Sequence, residues 1–287
     1  MTLPPRLSIR LAAGFLAVAV AGCASVPYVG QGPHPQIQRG RPCLPIDAVG
    51  NVLALPAKVF LFDWHFADHT FSARNEALVV EFVEQYPKEV GETQVQLNQY
   101  APHHDLARLM KNHNVAWPYR ITIGLLSTLV MDVMLPGRVM PWGDYYNPWT
   151  NTAHIYSDHP AVALHELGHS YDINRRRYKG SYAFARMLPF VNLYQEWEAS
   201  DAAIDHFIET KNRTEELRAY KILYPAYGTY MGSYLPFFGS IVGLAVGHVW
   251  GRTKAYDRAR FYERMDEASS SVARPAETSV TVPDVTP

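Results

Sequence analysis

The segment His165-Glu166-Leu167-Gly168-His169 constrains this chain more than any other, because its two imidazoles can act together only if it is helical. Four residues make about one helical turn, so His165 and His169 project from one face and can take two corners of a tetrahedral metal site. The flanks agree with a helix. Ser157 or Asp158 is placed to cap it, and Pro160 falls in the first turn, where a missing N–H costs nothing. The spacing predicts a helix from Ala161 to about Arg177, with Arg175, Arg176 and Arg177 at its negative end and Gly180 as a stop.

Glu166 lies one residue further round. From there its carboxylate can take a proton from a metal-activated water attacking a carbonyl and pass it to the leaving nitrogen. A catalytic zinc site uses three protein ligands, so a third is expected. A second helix is predicted over 192–209, and it offers Glu196 and Glu198. These stand about 200° apart round a helix and cannot both face one ion. Glu196 shares its face with Ala199, Ser200 and Ala203, small residues that allow close helix approach, whereas Glu198 sides with Asp201, Ala202 and Asp205. The face argument prefers Glu196.

Together these residues resemble the gluzincin zinc peptidases, which carry an H-E-x-x-H helix followed by a glutamate on a later helix. Glu196-x-x-Ala199 is similar to the E-x-x-A-D element of the membrane-associated branch that acts in envelope-protein quality control. The resemblance covers roughly Thr152 to Asp205. It implies Zn2+ held by His165, His169 and Glu196, Glu166 as general base, and an α+β, zincin-like fold with a small mixed sheet and a largely helical C-terminal half. It also implies that Ala153, His154, Ile155 and Tyr156 form an edge strand that binds substrate backbone. Two departures stand out: Ser200 occupies the place of the element's Asp, and the interval from His169 to Glu196 is short for that branch. Metzincins do not fit, since Ile173, Arg175 and Arg176 stand where their third histidine motif would fall. Candidates to stabilise an oxyanion are Tyr171, His206, Tyr224 and Tyr227.

The N-terminus reads as an address. Arg6 and Arg10 precede the apolar run Leu11 to Ala21, which is short for a span, and Val20-Ala21-Gly22-Cys23 resembles a bacterial lipobox. That resemblance implies a signal peptide over 1–22, lipidation of Cys23 and, with Ala24 following, an outer-membrane location facing the periplasm. Cys43 would then have no disulfide partner; without lipidation, a Cys23 to Cys43 bridge competes. Residues 23–50 are rich in Pro, Gly and Gln and read as a tether, 51–264 as one domain, and 265–287 as a disordered tail. Lys and Arg total 26 against 27 for Asp and Glu, so there is no basic excess to suit a nucleic-acid partner.

Within the domain, 58–63 and 94–98 read as strands, 75–88 and 104–111 as helices, and 121–135 as a strand-like start with a helical continuation. An irregular loop over 136–149 leads to a short strand at 152–157. Gly239, Gly243, Gly247 and Gly251 recur every four residues and predict a grooved helix, either buried in the body or dipping into a membrane. The functional expectation is a lipid-anchored zinc metalloendopeptidase acting on envelope proteins or peptides. The alternatives are a zinc amidase acting on cell-wall peptides and a non-enzymatic zinc-binding lipoprotein scaffold.

Overall fold

The computed structural model of the protein describes residues 25–26, 34–135, 137–140 and 143–273. The expected signal peptide over 1–22, the expected lipidation site Cys23 and residues 274–287 lie outside them.

The architecture is α+β. Among the described residues five short strands form one mixed sheet: β1 (Ser25–Val26), β2 (Ile37–Gly40), β3 (Gln94–Leu97), β4 (Tyr145–Asn147) and β5 (Thr152–Ile155), in the order β1-β2-β3-β5-β4. β2, β3 and β5 run parallel, while β1 and β4 pair antiparallel at the two edges. The helices are α1 (Leu44–Leu53), α2 (Leu55–Leu61), α3 (Ala73–Gln85), α4 (Pro87–Val90) and α5 (Pro102–Lys111). A continuous helical run follows, in which α6 (Trp117–Tyr119) and α7 (Leu125–Ser127) alternate with π-helical Arg120–Gly124 and Thr128–Met134. The C-terminal half is α8 (Pro160–Asn174), α9 (Lys179–Ala185), α10 (Pro189–Glu209), α11 (Arg213–Ser233) and α12 (Gly239–Ala273).

Strand alternation gives the sheet two different faces. Val95, Leu97, Tyr146, Ala153 and Ile155 join the main core with Leu164 and Leu167 of α8. Each buried Val, Leu or Ile side chain among them contributes about 1.5–3 kcal/mol. The other face carries Gln96, Tyr145, Asn147, Thr152 and His154, and α5 and the π-helical run reach it through Asp105, Arg108 and Asp132. It is polar and nevertheless buried.

Several expectations are corrected. Residues 58–63 are not a strand: Pro56 opens α2, and Phe62 closes it in the left-handed region at φ 55°. The Val and Phe content suggested β structure, but Lys58 is the residue that turns inward, donating to the Asn51 side chain at 2.9 Å and the Trp64 carbonyl at 3.1 Å. Residues 121–134 are helical throughout, and the loop 136–149 includes strand β4. Residues 37–40 and 44–50, expected in the tether, are ordered elements, since β2 pairs with β3 and α1 begins at Leu44. Residues 265–273, expected in the tail, are helical, because α12 continues to Ala273. Gly180 does not stop the motif helix; it lies buried inside α9, and α8 ends at Asn174.

The glycine stripe serves one helix pair. A Cβ at Gly243 would run into the Gly228 carbonyl of α11, so α11 and α12 touch backbone to backbone along the glycines. The opposite face of α12 is not covered: Val242, Val246 and Val249 are exposed. No single helix among the described residues is long and apolar enough to cross a membrane; α1 and α2, bent by 51°, pass such a test only as a pair.

Candidate metal centre

His159, not Ser157 or Asp158, caps the motif helix: its Nδ1 accepts from the Ala161 N–H at 3.2 Å. Asp158 instead faces α3, where it accepts from the Ser72 backbone N–H and hydroxyl. Pro160 occupies the first turn as expected. Thirteen of the 15 residues of α8 are buried, so the helix runs through the interior and its polar side chains must find partners there.

The partners come from α10. A Cβ at Gly168 would strike the Ala199 carbonyl, so the glycine inside the motif lets α8 and α10 approach. Ala199 and Ala203 are fully buried at this crossing. Glu196 thereby reaches both histidines: its carboxylate lies 3.2 Å from His165 Nε2 and 3.6 Å from His169 Nε2. The three ligand-capable atoms all lie within 4.8 Å of one another. Ligand atoms about 2.0–2.2 Å from one zinc ion sit roughly 3–4 Å apart, so the set fits a divalent cation with little movement. Glu198 points elsewhere and pairs with Arg175 at 3.4 Å and Arg176 at 3.5 Å.

Ser200 fills the place where the resembling element has Asp. Its hydroxyl lies 3.1 Å from His165 Nδ1, the contact that orients a ligand imidazole. Arg186, which no sequence pattern singled out, pairs with Glu196 and stands 3.4 Å from His169 Nδ1. Burial alone would raise the Glu196 pKa, but Arg186 and then His169 overcome it and hold the carboxyl well below the usual carboxylate range. Burial pushes His169 down to about 4, against the pull of Glu196. It pushes Glu166 up to about 8, opposed by the neighbouring His165.

His165, Glu166 and Glu196 line a cavity of about 320 Å3 whose other walls are mostly apolar, among them Phe66, Val162, Leu223 and Leu244. Asp144 lies in the wall, fixed by the Tyr156 N–H at 2.6 Å and the Ser157 N–H at 3.0 Å. Of the four oxyanion candidates only Tyr227 lines the cavity. Tyr171 packs on Phe82 and Tyr86, His206 on Phe82, Tyr86 and Phe207, and Tyr224 on Trp197 and Trp250. Tyr230, one turn beyond Tyr227, also lines it, and the Glu196 charge followed by burial raises its phenol pKa.

The substrate-edge expectation is overturned. Ala153, His154 and Ile155 belong to β5, which is hydrogen-bonded to β3 on one side and β4 on the other, so no edge remains for an added strand. Tyr156 is 1% exposed, and its backbone is already engaged by Asp144 and His69. The edge on this side of the sheet belongs to β4, which starts directly after Asp144.

Comparison with known protein families, curated proteins and solved structures finds no match to this chain.

Proposed function

We propose that the protein is a zinc metallopeptidase of gluzincin type, with Glu166 as general base. The observation that carries this reading is the convergence of Glu196 on His165 and His169 beside Glu166 at one apolar cavity. Two imidazoles and one carboxylate are the donor set of hydrolytic zinc sites that keep a position open. Zinc bound there would supply Lewis acidity, acidifying a water and polarising a substrate carbonyl. The chain's own residues do the rest. Glu166, kept basic by burial, takes and returns the proton; Ser200 holds the His165 ring; Tyr227 and Tyr230 stand where a developing oxyanion could be met. Apolar cavity walls suit side chains of peptide substrates. The lipobox-like Val20-Ala21-Gly22-Cys23 and exposed apolar residues such as Phe60, Phe237 and Val249 support a lipid-anchored role at the cell envelope.

Arg186 favours a second reading. Its guanidinium already satisfies Glu196, as in a scaffold where these groups are an ion network without catalysis. One experiment separates the two: zinc content and cleavage of casein by the wild type beside Glu166→Gln. Retained zinc with cleavage reduced at least roughly 100-fold is expected. Equal cleavage by both proteins would sink the mechanism, and a wild type that binds no zinc and cleaves nothing would favour the scaffold.

A further inference from the structure

On the polar face of the sheet, register places Gln96 of β3 opposite His154 of β5, and His154 opposite Tyr145 of β4. The Tyr145 ring stacks on the His154 imidazole with centroids 4.5 Å apart. Above this row α5 brings down Asp105, and π-helical Thr128–Met134 brings down Asp132. All three ionisable side chains are at least 98% buried. His154 Nε2 stands 3.9 Å from Asp105 Oδ1 and 3.9 Å from Asp132 Oδ1, beyond hydrogen-bond reach, and has no partner among the described residues. The amide oxygen of Gln96 is likewise buried without a partner, while its nitrogen donates to Asp105 Oδ1 at 2.9 Å. Tyr145 Oη and Asn147 Nδ2 donate to Asp132 at 2.7 and 2.8 Å.

The arrangement is rich in acceptors and lacks a cation. No Lys or Arg forms an ion pair with Asp105 or Asp132 among the described residues. Arg108 spends its guanidinium on the Glu92, Thr150 and Asn151 carbonyls and the Thr152 hydroxyl. Burial pushes Asp105 up to about 8, with Asp132 adding to it, and pushes Asp132 up to about 7. Buried charges are normally paired or bound to a metal, and an uncompensated carboxylate is destabilising. A divalent cation would balance two carboxylates and occupy the His154 lone pair at once.

We propose that Asp105, Asp132 and His154 form a second divalent-cation site that ties α5 and the π-helical segment to the sheet. The three ligand-capable atoms lie within 4.8 Å of one another, and the side-chain amide of Gln96, bonded to Asp105 through its nitrogen, adds an unpartnered oxygen. Two carboxylates, one imidazole and an amide oxygen suit zinc or manganese and offer no thiolate to softer ions. The site owes nothing to the motif helix, so it stands or falls separately from the peptidase reading.

The test disables the motif site and reads the second alone. The full chain carrying His165→Ala and His169→Ala, stripped with chelator and dialysed against Zn2+, is expected to retain about one zinc per chain by elemental analysis. It should melt roughly 5 °C higher in zinc than in chelator. Adding Asp105→Asn and Asp132→Asn, which preserve shape and remove charge, should abolish both effects. A double-histidine variant with no zinc and identical melting in zinc and chelator overturns the site, as does zinc unchanged by the Asn pair. That result would mean the carboxylates share a proton instead. If the double-histidine variant does not fold, the Asn pair is introduced into the wild type: loss of one zinc equivalent supports the site, and no loss overturns it.

Discussion

The cluster of His165, His169 and Glu196 and the cluster of Asp105, Asp132 and His154 use the same side-chain types on opposite faces of β5, and they balance charge differently. The first sets one carboxylate against two imidazoles and Arg186, and it opens on a cavity. The second sets two carboxylates against one imidazole, with no paired guanidinium or ammonium among the described residues. Arg186 holds the Glu196 carboxylate of the first cluster in its ionised form. The second has no such substitute. The first cluster is thus balanced by protein charge and reached by a cavity, whereas the second is buried and unbalanced.

The largest effect expected from breaking this contrast comes from Gly168→Val. The added side chain would collide with the Ala199 backbone and force α8 and α10 apart. A loss of roughly 3 kcal/mol or more in denaturant unfolding is expected, with zinc lost from the motif site. Wild-type stability in this variant would show that the close helix crossing does not hold the cluster together. Next, Glu196→Ala should weaken zinc binding at least roughly 100-fold, while Glu198→Ala, at a residue that pairs with Arg175 and Arg176, should stay within about 3-fold. Competition against a chromogenic chelator distinguishes them, and equal effects would reverse the assignment of the third ligand.

His206 serves as a control for both clusters: a fully buried histidine on α10 whose two ring nitrogens have no partner among the described residues. Burial lowers its pKa to about 4. Because the folded value lies below the unfolded one of about 6.5, its neutral form favours the fold fully above that pH, and the stability is lost as pH falls through 6.5 towards 4. Between pH 8 and pH 5 this amounts to about 2 kcal/mol, which His206→Phe should abolish. An unchanged pH profile of unfolding in that variant would remove His206 as the cause. The smallest change is expected from Ser200→Ala, about 10-fold in zinc affinity with the fold intact, since only the partner of His165 Nδ1 is lost.

Much of the first cluster was legible because its information is local. The four-residue spacing of His165 and His169 and the face shared by Glu196, Ala199 and Ala203 follow from helical periodicity alone. Arg186 and Tyr230 carried no such signal, because one precedes α10 and the other arrives on a separate helix. The error at β5 has a similar origin. An alternating run such as Thr152-Ala153-His154-Ile155 shows that a strand forms but not whether its neighbours are protein or water.

What the amino-acid order determined by itself was therefore the α+β class, strands within 94–98 and 152–157, and the inward face of Glu196, the last two each written within a dozen residues. Tertiary structure alone decided that β5 is internal, that Gly168 sits under the Ala199 carbonyl, and that Asp105, Asp132 and His154 meet. Those outcomes depend on strand register and helix placement between segments far apart in the chain, where side-chain periodicity carries no information and packing decides.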